Sequence, residues 1–139
     1  MYHQNLIRIP AASAVSDINE AKSTLSSILG HDPVYTRPPY GNANDTVRTT
    51  AGTPIILWSV DTEDWKSKDV NSIIATAMSE VHDGAIILMH DIYPTTVDAV
   101  PILIDKLREN GYELVTLSEL TKLRNIKLEN GTSYYNFPP

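Results

Sequence analysis

Three apolar runs in this sequence end on ionisable side chains. Ala85-Ile86-Ile87-Leu88-Met89 runs directly into His90-Asp91, the run at 54–60 is followed by Asp61 and Asp64, and Arg37 follows the extended run before it. A histidine beside carboxylates is either an ordinary strand terminus, satisfied by backbone groups, or half of an active site. Parallel strands covered by helices place their sites at the carboxyl ends of the strands, in open sheets and in (β/α) barrels alike. By that rule three strands deliver Arg37, then Asp61 with Asp64, then His90 with Asp91, to one face. His3 precedes the first helix and is assigned to the same face. His31 and His82 lie between a helix and the next strand, on the opposite side, and read as plain surface residues.

The elements that must hold these residues alternate along the chain. Residues 14–29 place Val15, Ile18, Ala21, Leu25, Ile28 and Leu29 on one helical face, with Gly30 as the stop. "VYTRPPYG" is extended, because the residue before a proline avoids helix, and "NANDTVRTTA" reads as a weak helix or turn. A buried strand is expected over 54–60 and a loop over "DTEDWKSKD". Asp69 then caps a helix carrying Ile73, Ile74, Ala77, Met78 and Val81, ended by Gly84. The strand "AIILMH" follows, then a helix from about Thr96 to Asn110, with Pro101 early enough to bend it. "GYELVTL" reads as the last strand, Ser118 as the cap of a short helix, and residues 124–139 as a tail. Strand–helix–strand order with continuous apolar strands implies an α/β fold with parallel pairing and covering helices.

Composition narrows the partners. The 139 residues are about one domain, and 42% apolar content is ordinary for a globular chain. No apolar run approaches the ~20 residues of a membrane span. Seventeen acidic against eleven basic residues give a net charge of −6, which argues against nucleic acid as partner. There is no cysteine, which excludes disulfides and thiolate catalysis and leaves the compartment open. The opening Met1-Tyr2-His3-Gln4 is not the basic-then-apolar pattern of an export leader.

"TRPPYG" (36–41), "DTEDW" (61–65) and "IILMHD" (86–91), in this order and spacing, resemble the last three motifs of the polysaccharide deacetylases, the NodB-homology enzymes of carbohydrate esterase family 4. "HQNL" at 3–6 resembles the second half of the family's His-[Ser/Thr]-x-x-His-x-x-Leu motif. The resemblance runs from His3 to the last strand. It implies the C-terminal portion of a distorted (β/α) barrel and the hydrolysis of N-acetyl groups on a polysaccharide, with bacterial peptidoglycan N-acetylglucosamine preferred and chitin or the acetyl esters of xylan as runners-up. It also implies a divalent metal, zinc by preference, held by an aspartate and two histidines, His3 being one of them. Arg37 would orient an aspartate base, and the backbone N–H of Tyr40 would face the oxyanion. His90 would protonate the leaving amine, with Asp64 pairing to the imidazole and favouring its charged form. Leu88 would line the acetyl pocket and Trp65 the sugar groove. Asp61, which equally well caps its loop, and Asp91 stand beside these.

One part of the family pattern has no counterpart. No adjacent pair of aspartates occurs, so the base and the aspartate ligand are not supplied, and the first metal histidine would precede His3. The expectation is a partial deacetylase domain over 1–139, lacking the first strands and first motif, with two of three metal ligands absent. Such a chain would leave a sheet edge and some apolar helix surface uncovered and would tend to self-associate. Two alternatives follow: an inactive fragment or relic that binds glycans, and a half-domain completed by another chain. A full-length enzyme of this kind would act outside the cell or at its wall.

Overall fold

Helix starts and stops in this chain are set by a few side chains whose roles are visible in the computed structural model, which describes residues 3–139. The elements are α1 (Ala11–Leu29), a 3₁₀ turn (Pro39–Gly41), α2 (Asp45–Ala51), β1 (Ile55–Ile56), β2 (Val60–Asp61), α3 (Asp64–Ser67), α4 (Val70–Glu80), β3 (Ile87–Leu88), α5 (Pro94–Glu109), α6 (Leu117–Leu123) and β4 (Ser133–Tyr134). They fall into two units, one of Met1–Leu57 with Lys127–Tyr134, the other of Trp58–Ile126 with Tyr135–Pro139.

In the first unit α1 begins after Pro10, three residues before the expected start, and Gly30 ends it with φ 76° and an N–H donated to Ser26 O. Its buried contact is near its N-terminus, where Ala14 packs with Leu6 and Val47 and against Ile9, Ile18 and Ala43. Of the anticipated apolar face, Val15 and Ala21 are half-buried while Leu25, Ile28 and Leu29 are exposed, Ile28 at 74%. The weak helix at 45–51 is a true helix, because the Asn44 side chain accepts the Val47 N–H and Gly52 closes it at φ 62°. β1 pairs in parallel with β4, Ile55 opposite Ser133 and Ile56 opposite Tyr134, and Thr36 bridges to Ile55 on the same strand. Arg48 of α2 donates to Gly131 O and Ser133 Oγ, fastening the strand that the C-terminal segment supplies.

In the second unit β2 and β3 pair in parallel, Val60 with Ile87 and Asp61 with Leu88. The run at 54–60 is therefore two short strands rather than one, since β1 and β2 have different partners. The Asp69 carboxylate accepts the Ser72 N–H at 2.8 Å and caps α4 as expected, a device worth about 1 kcal/mol. Ile73, Ile74 and Ala77 of α4 meet Ala99, Leu103 and Leu107 of α5 in the core, each large aliphatic contributing roughly 1.5–3 kcal/mol on burial.

Three local expectations are corrected here. α4 ends at Glu80, with Val81 turning to extended backbone, so Gly84 is not its stop. The segment at 111–117 forms no strand, and Leu114 and Val115 are exposed; strand-forming composition needs a neighbouring ladder, and among the described residues none pairs with it. The last helix is capped by Thr116 rather than Ser118, because Thr116 and Glu119 make reciprocal bonds, Thr116 Oγ1 accepting Glu119 N–H and Glu119 accepting Thr116 N–H. Among the described residues no helix is long and apolar enough to cross a membrane.

Candidate active site

Asp64 is placed by a strained turn. The Asp61 carboxylate accepts the Glu63 N–H at 3.0 Å, and Glu63 takes up a left-handed conformation, φ 49°. The single-turn α3 follows and ends on Lys68, also left-handed at φ 47°. Two non-glycine residues in this conformation, at roughly 1–2 kcal/mol each, bracket the turn that points Asp64 inward.

The Asp64 side chain has no solvent exposure and collects four donors. Oδ1 accepts from His90 Nδ1 at 2.7 Å and from Trp65 N–H at 2.9 Å. Oδ2 accepts from His90 N–H at 2.6 Å and from Thr96 Oγ1 at 2.8 Å. Burial alone would raise its pKa, but the bonds from the His90 ring, the His90 backbone and Thr96, with the charge of His90, together hold it below the ordinary carboxylate value. An ionised carboxylate only accepts, so Nδ1 of His90 is the protonated nitrogen and Nε2 is left for chemistry. The imidazole is about one-third exposed, against a partner with no exposure. Tyr93 stands edge-on to it at 6.4 Å between ring centres, and Lys68 Nζ lies 5.2 Å from the Tyr93 ring. A buried anion, an imidazole bound to it and an exposed ring edge form a unit suited to proton transfer.

The other sequence-assigned residues divide between this group and the first unit. Trp65 is 47% exposed beside Asp64, and Leu88 of β3 is buried with its carbonyl accepting from Thr62 Oγ1. Asp61 is half-buried in its turn, and Asp91 is exposed. In the first unit Arg37 donates from Nε to Ile56 O and from Nη2 to Leu57 O, at the carboxyl end of β1, and burial lowers the pKa of its guanidinium. Tyr40, after Pro38-Pro39, is left-handed at φ 60°, and its ring meets that of His3 edge-on at 5.1 Å. His31 and His82 each bond through Nδ1 to the following residue's carbonyl.

The sequence reading passed over Thr96 and Tyr93. Their signal is slight: a threonine and a tyrosine around Pro94, where a helix begins a few residues after a strand-end histidine. A metal centre does not assemble from the residues described. His3 is the sole candidate ligand assigned from the sequence, and among the described residues no three His, Cys, Asp or Glu side chains are grouped to hold an ion, whereas a catalytic zinc site takes three protein ligands.

Comparison with known proteins shows what the whole chain is similar to. The family model described as polysaccharide deacetylase matches residues 1–53. The peptidoglycan-N-acetylmuramic acid deacetylase PdaC of Bacillus subtilis is 39% identical over 122 residues, 88% of this chain and 26% of that protein. Its solved structure superposes with a TM-score of 0.84 over 89% of this chain and 61% of that structure. The peptidoglycan-N-acetylglucosamine deacetylase PgdA of Listeria monocytogenes is 37% identical over 134 residues, 96% of this chain and 28% of that protein. The structure of a family 4 acetyl xylan esterase from Clostridium thermocellum in complex with a cobalt ion is 26% identical, with a TM-score of 0.83 over 95% of this chain and 67% of that one. The chain belongs to the polysaccharide deacetylases, carbohydrate esterase family 4, and its α/β fold of parallel strands and covering helices is that of the NodB-type domain in part. It spans about a quarter of the length of the two curated relatives.

Proposed function

We propose that this chain contributes the general-acid side of an enzyme that hydrolyses N-acetyl groups on a cell-wall polysaccharide, with peptidoglycan N-acetylglucosamine preferred and, as runners-up in the same family, chitin or the O-acetyl esters of xylan. The observation that carries the reading is the Asp64–His90 pair, a fully buried carboxylate 2.7 Å from the imidazole nitrogen. Support comes from the names of the relatives, one a peptidoglycan-N-acetylmuramic acid deacetylase and one a peptidoglycan-N-acetylglucosamine deacetylase.

Amide hydrolysis needs a proton for the departing amine, because an amide anion does not leave in water. His90 Nε2–H supplies it, and Asp64 keeps Nδ1 protonated and offsets the imidazolium charge. Trp65 offers a face to the sugar and Leu88 an apolar wall to the acetyl methyl. The Tyr40 N–H would stabilise the oxyanion, and Arg37 would orient a base that residues 3–139 do not contain. His3 is the one ligand these residues would contribute to a divalent cation, zinc by preference; the further ligands would have to come from other sequence.

The second reading is a chain that binds glycan without turnover unless another polypeptide completes it. It is favoured by the absence, among the described residues, of a group of three metal-ligating side chains. Acetate release from peptidoglycan glycan strands separates the two. The chain is assayed alone and with a polypeptide carrying an adjacent aspartate pair and a further histidine. Release that disappears in His90→Ala supports the enzyme. Binding of the strands with no release under either condition leaves the glycan-binding reading.

A further inference from the structure

We infer that Thr96 is a positioning residue for His90, its buried hydroxyl fixing the Asp64 carboxylate in the orientation that meets the imidazole. The inference rests on the proposed role of His90 for its catalytic consequence, but not for its structural content.

Thr96 sits in the first turn of α5 and is 1% exposed. A threonine inside a helix can satisfy its hydroxyl locally by turning it back onto a carbonyl three or four residues earlier. Thr121 of α6 does so, donating to Leu117 O at 2.9 Å and Ser118 O at 3.2 Å. Thr96 instead gives its hydroxyl proton to Asp64 Oδ2 at 2.8 Å, across 32 positions of sequence.

The geometry of acceptance explains why this bond matters. A carboxylate has about four lone-pair directions, and Asp64 receives four donors, two on each oxygen. On Oδ2 the donors are Thr96 and the His90 backbone; on Oδ1 they are the His90 ring and the Trp65 backbone. Rotation of the carboxylate about its own bond would break the Thr96 and His90 bonds together. With the hydroxyl gone, one acceptor site inside the protein has no donor, and the rotation that weakens the Nδ1 contact becomes easier. Threonine is suited to the task because branching at Cβ restricts its side chain to few rotamers, so the hydroxyl direction is set by the helix that carries it. His90 and Thr96 lie at the two ends of one short connection, closed by Tyr93 N–H to His90 O and Thr96 N–H to Tyr93 O. Helix, turn and strand end thereby hold one carboxylate from two sides.

The test compares Thr96→Ser, which keeps the hydroxyl, with Thr96→Ala and Thr96→Val, which lack it; Val keeps the shape should Ala leave too large a void. In the histidine-labelled chain, ¹⁵N NMR reads the His90 Nδ1–H directly. The expected result is a slowly exchanging, downfield Nδ1–H in the wild type and in Thr96→Ser. It should be lost or strongly broadened in Ala and in Val. An Nδ1–H signal unchanged in whichever hydroxyl-free variant folds overturns the inference, whatever the activity. Where acetate release is obtained, kcat should fall about tenfold in the hydroxyl-free variants with KM unchanged and recover in Thr96→Ser. If the imidazole responds as expected but no acetate is ever released, the proposed function fails and the positioning role stands.

Discussion

The backbone N–H of Phe137 donates to the carbonyl of Gly84 at 2.8 Å, and a Cβ built on Gly84 would run into the backbone carbonyl of Phe137. Gly84 also has φ 78°, a conformation that side chains disfavour. Its role is to let the C-terminal segment lie against the loop before β3, where Phe137 is buried.

Gly84→Ala should therefore destabilise the chain by at least about 2 kcal/mol, combining left-handed strain with a clash against backbone that has no rotamer to yield. Urea unfolding measures it, and a loss under about 0.5 kcal/mol, the range of an ordinary surface change, would contradict this account of the contact.

The pH dependence of stability should carry the signature of Asp64. Its pKa is lowered in the fold by bonds from His90 and Thr96 that outweigh burial. A carboxyl with a depressed folded pKa stabilises the fold above its unfolded value, about 4, and that contribution is lost as pH falls through the folded value. Asp64→Asn should cost about 3 kcal/mol at pH 7, since it removes one member of a buried hydrogen-bonded pair. The gap between variant and wild type should narrow below about pH 4. A gap independent of pH from 7 to 3 would show that the charge of Asp64 is not what the fold uses.

Loss of His90 and loss of His3 should separate proton transfer from metal affinity. Under conditions in which the chain supports acetate release, His90→Ala should lower turnover by about 10²-fold or more and leave metal content alone. Under the same conditions, with the remaining ligands supplied, His3→Ala should weaken zinc binding, read by calorimetry. Loss of zinc in the His90 variant, or unchanged zinc affinity in the His3 variant, would reverse these roles.

The exposed apolar end of α1 should drive self-association of the chain in solution. Ile28 is 74% exposed, with Leu25 and Leu29 beside it, and contiguous apolar patches of this kind seek cover. Ile28→Lys should shift the species seen by light scattering towards monomer. A wild-type chain that is monomeric at all concentrations would remove the expectation.

Part of the candidate site is legible in the sequence. Strand-end position brought out Asp64 and His90 together with Arg37, Asp61 and Asp91, and the motif order named the family and with it the Asp64–His90 pair, because those signals are written in short contiguous stretches. Asp69, Gly30 and the core stripe of α4 were readable for the same reason: a cap or a helical face depends on residues within a turn or two.

The tertiary structure alone decided who meets whom across the chain. Thr96 joins Asp64 over 32 positions, beside the Asp64–His90 pairing that the family resemblance already implied; Gly84 finds Phe137; the run at 54–60 divides because its two halves meet different partner strands. The segment at 111–117 has strand composition but forms none, for want of a ladder among the described residues. The physical reason is common to all of them. A side chain's preference for helix, turn or strand is local, whereas a buried hydrogen bond or a ladder exists only when its partner is delivered by the folding of the rest.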